Sequence, residues 1–274
     1  MDNSLRNSPP SKHCRLKSLR VVGEAFLLWK SKFILTAFVG AYVALWVGGV
    51  SAHILHAGPP PDAQWAAPIF LLLAGLIVLV TASRANLGGL LAAAVIGFIA
   101  EYIGVSYGFI FGRYVYTGTL KPLLLGVPLV MASAWMILFA YVKQMLLPFK
   151  LSKPAEMISS AVWMVAIDLL IDPLAANQLG YWRWVDAGAY YGVPARNFLG
   201  WFVVSFMIFG IIRQRPQTDL WARSVGLSIL LFFTVIALAY HLALAASVGL
   251  VLSLAHLALA IISRRRQAEA QRYL

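Results

Sequence analysis

Three acidic side chains sit where acids are costly. Glu101, Asp168 and Asp172 lie inside long apolar segments. The other acids, Asp2, Glu24, Asp62, Glu156, Asp186, Asp219 and Glu269, fall in tails or connecting loops. A carboxylate at membrane depth is expensive unless it is paired, protonated or turned toward a cavity, so such a residue is a functional candidate by default. Asp168 and Asp172 are spaced i, i+4 and therefore share a helix face. Two ionised carboxylates that close repel each other, so at least one is expected to hold its proton. A protonated acid in apolar surroundings can donate that proton, and an ionised neighbour can accept one. A plainer reading applies to Asp172, which stands just before Pro173 and would then only end its helix near water.

Other residue types surround this set. Tyr181, Trp182, Arg183, Trp184, Tyr190 and Tyr191 crowd the stretch between Asp172 and Asn197. Aromatic rings there serve either as an interfacial belt or as walls that stabilise a cation. Gly97, Glu101, Gly104, Gly108 and Gly112 recur at three- or four-residue spacing. If the helix continues to Gly112 they form one smooth stripe, and close helix packing is the better account of it. His53 and His56 are spaced i, i+3 without further ligand partners, and His241 and His256 are single polar residues in apolar runs. The lone Cys14 allows neither a disulfide nor a cysteine-based metal site within the chain. There is no Walker loop, no dinucleotide glycine motif, no HExxH and no nucleophile elbow. We therefore expect no metal and no cofactor.

The elements that must carry these residues follow from composition. The 274 residues are 61% hydrophobic and 12% charged, with a mean hydropathy of +0.80. That excludes a soluble enzyme, a disordered chain and a solenoid, and it leaves an all-α, polytopic transmembrane helical bundle. About 20 apolar residues span a bilayer. Candidate spans lie near 33–57, 64–83, 87–105, 123–147, 157–175, 196–213, 222–243 and 246–262. The final division, placed near Ala245–Ser247, splits one uninterrupted apolar run. Eight helices are expected, and seven would follow if that run stayed whole. The apolar core of the first helix is too long for a cleaved signal. The chain divides into a basic tail (1–32), one transmembrane domain (33–263) and a basic end (264–274).

The net charge of +12 reads as topology rather than nucleic-acid binding, because basic residues collect in cytoplasmic loops. With eight helices and both termini in the cytoplasm, only Arg113, Lys121, Arg183 and Arg196 fall on the outer side. The three acids then lie in the outer half of the cell membrane, near the two longer outer segments 105–122 and 176–195.

Four ordered blocks carry a family resemblance. They are EYIGVSYGFIFGRYVY from Glu101 to Tyr116, LGVPL from Leu125 to Leu129, DLLIDP from Asp168 to Pro173 followed by Trp182, Arg183 and Trp184, and YYGVPARNFLGW from Tyr190 to Trp201. Over residues 95–205 the chain resembles the carotenoid biosynthesis membrane proteins. Characterised members of that family are hydratases of the carotenoid 1,2-hydratase and bisanhydrobacterioruberin hydratase type. The first two and last two helices do not contribute to the resemblance. It implies addition of water to the terminal double bond of an acyclic carotenoid such as lycopene, without a cofactor. Partners would be the lipid bilayer and other enzymes of the pathway.

The residues suit that chemistry. Protonation of a trisubstituted alkene gives a tertiary cation, which water captures. On this reading Asp168 or Glu101 donates the proton. The other acid, with Asp172, holds water and takes its proton. Tyr107, Tyr191 and Asn197 complete the hydrogen-bond network, and Trp182 and Trp184 shield the cation. Three rivals remain at this stage. A carotenoid cyclase protonates the same bond but closes a ring. A membrane prenyltransferase would use the aspartates with magnesium, although a second aspartate-rich motif is missing. A proton-coupled transporter would use buried carboxylates, although no paired halves are evident.

Overall fold

The computed structural model describes residues 12–272, with side chains for residues 33–262. The side chains of the two basic ends, including Cys14, lie outside the described residues. Eight α-helices are present among the described residues: α1 (Lys12–His56), α2 (Ala66–Thr81), α3 (Arg84–Tyr107), α4 (Val130–Leu146), α5 (Lys153–Asn177), α6 (Ala195–Ile211), α7 (Leu220–Ala239) and α8 (Ala243–Arg272). Seven of them contain a stretch long and apolar enough to cross a membrane. The remaining one, α6, is apolar but has 17 residues, about 25 Å at helical rise. The architecture is a multi-pass helical bundle. Helix α1 begins at Lys12, well before the expected span at residue 33.

Helix α4 is the axis of the bundle and packs against α2, α3, α5 and α7. Trp135, Ile137, Phe139, Tyr141, Val142 and Met145 on α4 are fully buried. A helix apolar all round belongs in such a core. Helix α1 instead leaves Phe33, Val43, Val47 and Leu55 exposed, a surface suited to lipid.

The break between the last two helices falls at Tyr240–Leu242, earlier than Ala245–Ser247. His241 adopts φ of +58°. The Leu242 amide bonds the Ala237 carbonyl and the His241 amide bonds that of Leu238. This is a Schellman ending in which His holds the left-handed place that glycine usually takes. The usual sequence mark was therefore missing. The start of α4 moves from residue 123 to 130 for a different reason. Strands β2 (Leu123–Leu124) and β3 (Val127–Pro128) pair antiparallel. Leu125 and Gly126 between them both have positive φ, the two-residue hairpin turn that matches strand twist.

A second two-stranded ribbon matters more. Strand β1 (Tyr114–Tyr116) follows α3, and β4 (Trp182–Trp184) follows α5. They pair antiparallel, with Tyr114 opposite Trp184 and Tyr116 opposite Trp182. The two longer segments expected to be loops thus join into a lid across the bundle end.

Candidate active site

Glu101, Asp168 and Asp172 are 4%, 3% and 1% exposed. Helix α3, which ends at Tyr107, carries Glu101 nearly two turns before its end. Gly108, at φ of +61°, closes that helix by bonding the Gly104 carbonyl. The glycine stripe therefore ends there and does not reach Gly112 as part of a helix. What remains of it is close packing. A Cβ on Gly97 would stand 2.1 Å from Cγ of Trp135. The bare glycine lets Trp135 lie against α3, where its Nε1 donates to Glu101 Oε1 at 3.1 Å.

Helix α5 does not stop at Asp172. It continues through Pro173 to Asn177, so the reading of Asp172 as a simple helix end is overturned. Proline lacks the N–H that would bond the carbonyl four residues back, here Leu169. The Tyr190 hydroxyl supplies the missing donor at 2.9 Å. Asp172 thereby stays helical and buried, one turn after Asp168.

Strand alternation builds the lid chemistry. Tyr114, Tyr116, Trp182 and Trp184 face the acids, while Val115 and Arg183 face outward and are exposed. Tyr114 and Tyr116 both donate to Glu101 Oε2, at 2.5 and 2.9 Å. Burial, reinforced by the Glu101 charge, pushes both phenols well above their ordinary range, so they stay hydroxyl donors. Trp182 and Trp184 donate to Asp172 Oδ1, at 2.8 and 3.3 Å. From α6, the Asn197 amide donates to Asp168 Oδ2 and Asp172 Oδ2, both at 2.6 Å. Among the described residues no ion pair involves any of the three acids.

Two small cavities meet here. One, of about 70 Å³, borders Asp168 with Ile137, Leu138, Ile171 and Ile229. The other, of about 20 Å³, borders Glu101, Asp172, Tyr116 and Asn197, and its size is roughly that of one water. Met131, Trp182 and Trp201 line both. Trp201 also stacks on Trp135 with centroids 4.3 Å apart. The site is apolar on one side of this partition and polar on the other.

Six of the eight expected residues come together: Glu101, Asp168, Asp172, Asn197, Trp182 and Trp184, with the two tryptophans bonded to an acid rather than only shielding. Tyr107 and Tyr191 do not join. Tyr107 is 73% exposed beyond the lid, because the helix ends there and the chain turns away. Tyr191 accepts a bond from the Leu244 amide and ties the 178–194 segment to α8. Tyr114, Tyr116, Trp135 and Trp201 take their places. The period-two pattern of YVY and WRW was the available signal for two of them. His53 and His256 instead bond Tyr240 and Tyr141. Arg113, Lys121, Arg183 and Arg196 are exposed and do not converge on the aspartates; Arg113 pairs with Asp186.

Fold and site together define a multi-pass membrane bundle with a lidded cluster of buried carboxyls. The chain belongs to the carotenoid biosynthesis protein family, whose model matches residues 66–261. That match runs from α2 into α8, so the likeness is wider than residues 95–205. The chain is 31% identical over 179 residues to bisanhydrobacterioruberin hydratase of Haloarcula japonica, covering 60% of this chain and 60% of that relative. It thus spans less than two thirds of the relative's length. No solved structure matches the chain.

Proposed function

We propose that this protein adds water across the terminal carbon 1–carbon 2 double bond of an acyclic carotenoid end group, giving a tertiary alcohol. One observation carries the reading: a pair of carboxyls bridged by one amide, with an apolar cavity on the Asp168 side and a water-sized polar cavity on the Asp172 side. The likeness to a hydratase adds support.

Asp168 is the proton donor. It borders the apolar cavity and accepts one side-chain bond, from Asn197. Two carboxyls held by the same amide cannot both ionise at low cost, so the pair shares a proton. Asp168 gives that proton to carbon 2, and the alkene electron pair forms the new C–H bond. Carbon 1 becomes a tertiary cation, held against the faces of Trp182 and Trp201. Water in the polar cavity forms the C–O bond and releases its proton to Asp172. Transfer of that proton to Asp168 restores the starting state. Glu101, which accepts three bonds, orients the water. Nothing is oxidised or reduced, and the step needs no cofactor.

The protein sits in the cell membrane with both termini in the cytoplasm and the lid at the outer face. Support comes from the four lid-side basic residues against the many on the opposite face.

The test is expression in cells that make lycopene, in water labelled with heavy oxygen, followed by mass spectrometry of the pigments. Hydration adds one labelled water, cyclisation leaves the mass unchanged, and unaltered pigment from every acyclic substrate sinks the proposal.

A further inference from the structure

The cavity at Asp168 holds an end group and no more of a long polyene. A much larger cavity of about 320 Å³ lies beside it, between α1, α2, α7 and residues 178–181. Leu71, Tyr181 and Phe233 line both. Its inner walls include flat rings: Phe70 stacks with Phe232 at 5.0 Å, and Phe232 meets Phe233 edge-on at 5.5 Å. Small residues help keep it open, since Gly49 of α1 and Ala66 and Ala67 of α2 are part of its lining. A Cβ on Gly49 would already press within 3.0 Å of Phe232.

The shared wall is fixed in place. The Tyr181 amide bonds the Ala175 carbonyl at 2.8 Å, and the Thr117 amide bonds the Tyr181 carbonyl at 3.1 Å. The Thr117 and Thr119 hydroxyls both donate to the Gly180 carbonyl. The loop that carries Tyr181 is therefore held from both sides.

The geometry points to this larger cavity as the binding site for the conjugated chain of the substrate, with Leu71, Tyr181 and Phe233 as a collar that passes a flat, unringed end to Asp168. The inference rests on the hydratase reading above. A polyene is long, flat and apolar, and it matches an aromatic-walled slot that shares three lining residues with the cavity at the reacting end. A bulky ring of geminal methyl groups does not pass a collar held this firmly. Selection for acyclic ends is then built into the entry and does not depend on the acids.

Ala67→Phe and Ala66→Phe fill the larger cavity without touching the Asp168 cavity. Each is assayed against a full-length acyclic carotenoid and a short acyclic terpene bearing the same end group. The expected result is a fall of roughly tenfold or more in kcat/KM for the long substrate, with the short one hydrated at the wild-type rate. The short substrate doubles as the check on folding. Unchanged hydration of the long substrate in both variants overturns the inference, and so does an equal loss on both substrates in both variants. Binding is read separately, as visible polyene absorbance co-eluting with the purified protein. If wild type hydrates neither substrate, the hydratase reading fails. The cavity then stands or falls on whether Ala67→Phe loses bound polyene that wild type retains.

Discussion

At the scale of single residues, the acids differ in their surroundings more than in their chemistry. Glu101 accepts from Tyr114, Tyr116 and Trp135, a donor set suited to a fixed anion. Asp168 accepts from Asn197 and borders the apolar cavity. We expect Asp168→Asn to lower turnover by at least about a hundredfold, in the range for loss of a general acid, while the protein still purifies as a folded bundle. Asp172→Asn removes the proposed proton acceptor and is expected to cost a similar factor. Glu101→Gln keeps the shape and loses the charge, with a smaller fall. Pigment turnover in isolated membranes measures all three, and full activity in every one of them would remove the proposed mechanism. Trp184→Phe, which deletes the longer of two bonds to Asp172, is expected to have the mildest effect of the lid residues.

At the scale of elements, two helices owe their local form to a partner elsewhere in the chain. Pro173 leaves the Leu169 carbonyl without a helical donor, and Tyr190 supplies one. Tyr190→Phe is therefore expected to destabilise the fold by about 1–2 kcal/mol. In a Pro173→Ala background, where the helix regains its own N–H, the same change is expected to cost little. Thermal unfolding in detergent of the four proteins of this cycle checks the coupling, and equal costs in both backgrounds would refute it. Gly97 is the second case. Gly97→Ala drives a methyl into Trp135, an overpacking cost of about 1–3 kcal/mol. It is expected to lower activity further than stability alone accounts for, because Trp135 is also a donor to Glu101. A melting curve run beside an activity assay separates the two effects.

At the scale of the whole molecule, helix alternation places the β1–β4 lid and the three acids at one end of the bundle. The ends near Arg84, Lys150 and Arg213 lie at the other. The basic residues of the chain favour that second end for the cytoplasm. With Cys14 replaced, a cysteine at exposed Val185 is expected to react with a membrane-impermeant thiol reagent in intact cells. A cysteine at exposed Lys150 is expected to react only after permeabilisation. The opposite pattern would invert the topology and place the lid inside. The exposed apolar flank of α1 gives the bundle a lipid-facing side on a helix that also lines the larger cavity, the side from which the proposed substrate would arrive.

The sequence alone determined the class of the molecule and singled out the acids of its candidate site. Apolar runs of spanning length required a membrane bundle, and the cost of burying charge singled out Glu101, Asp168 and Asp172. Both conclusions need only local composition and helical periodicity. Tertiary structure decided which partners those acids have. Tyr114 and Tyr116 were hidden within a motif read for its glycines, and Trp135 lies on another helix altogether. Their role depends on pairing β1 with β4 across more than sixty positions, and no single stretch encodes a contact between distant strands. Tyr107 and Tyr191 point elsewhere for a different, local reason, since their direction is set by a helix cap and a left-handed turn. The division at Tyr240–Leu242 also needed structure, because His241 fills a place that sequence rules reserve for glycine.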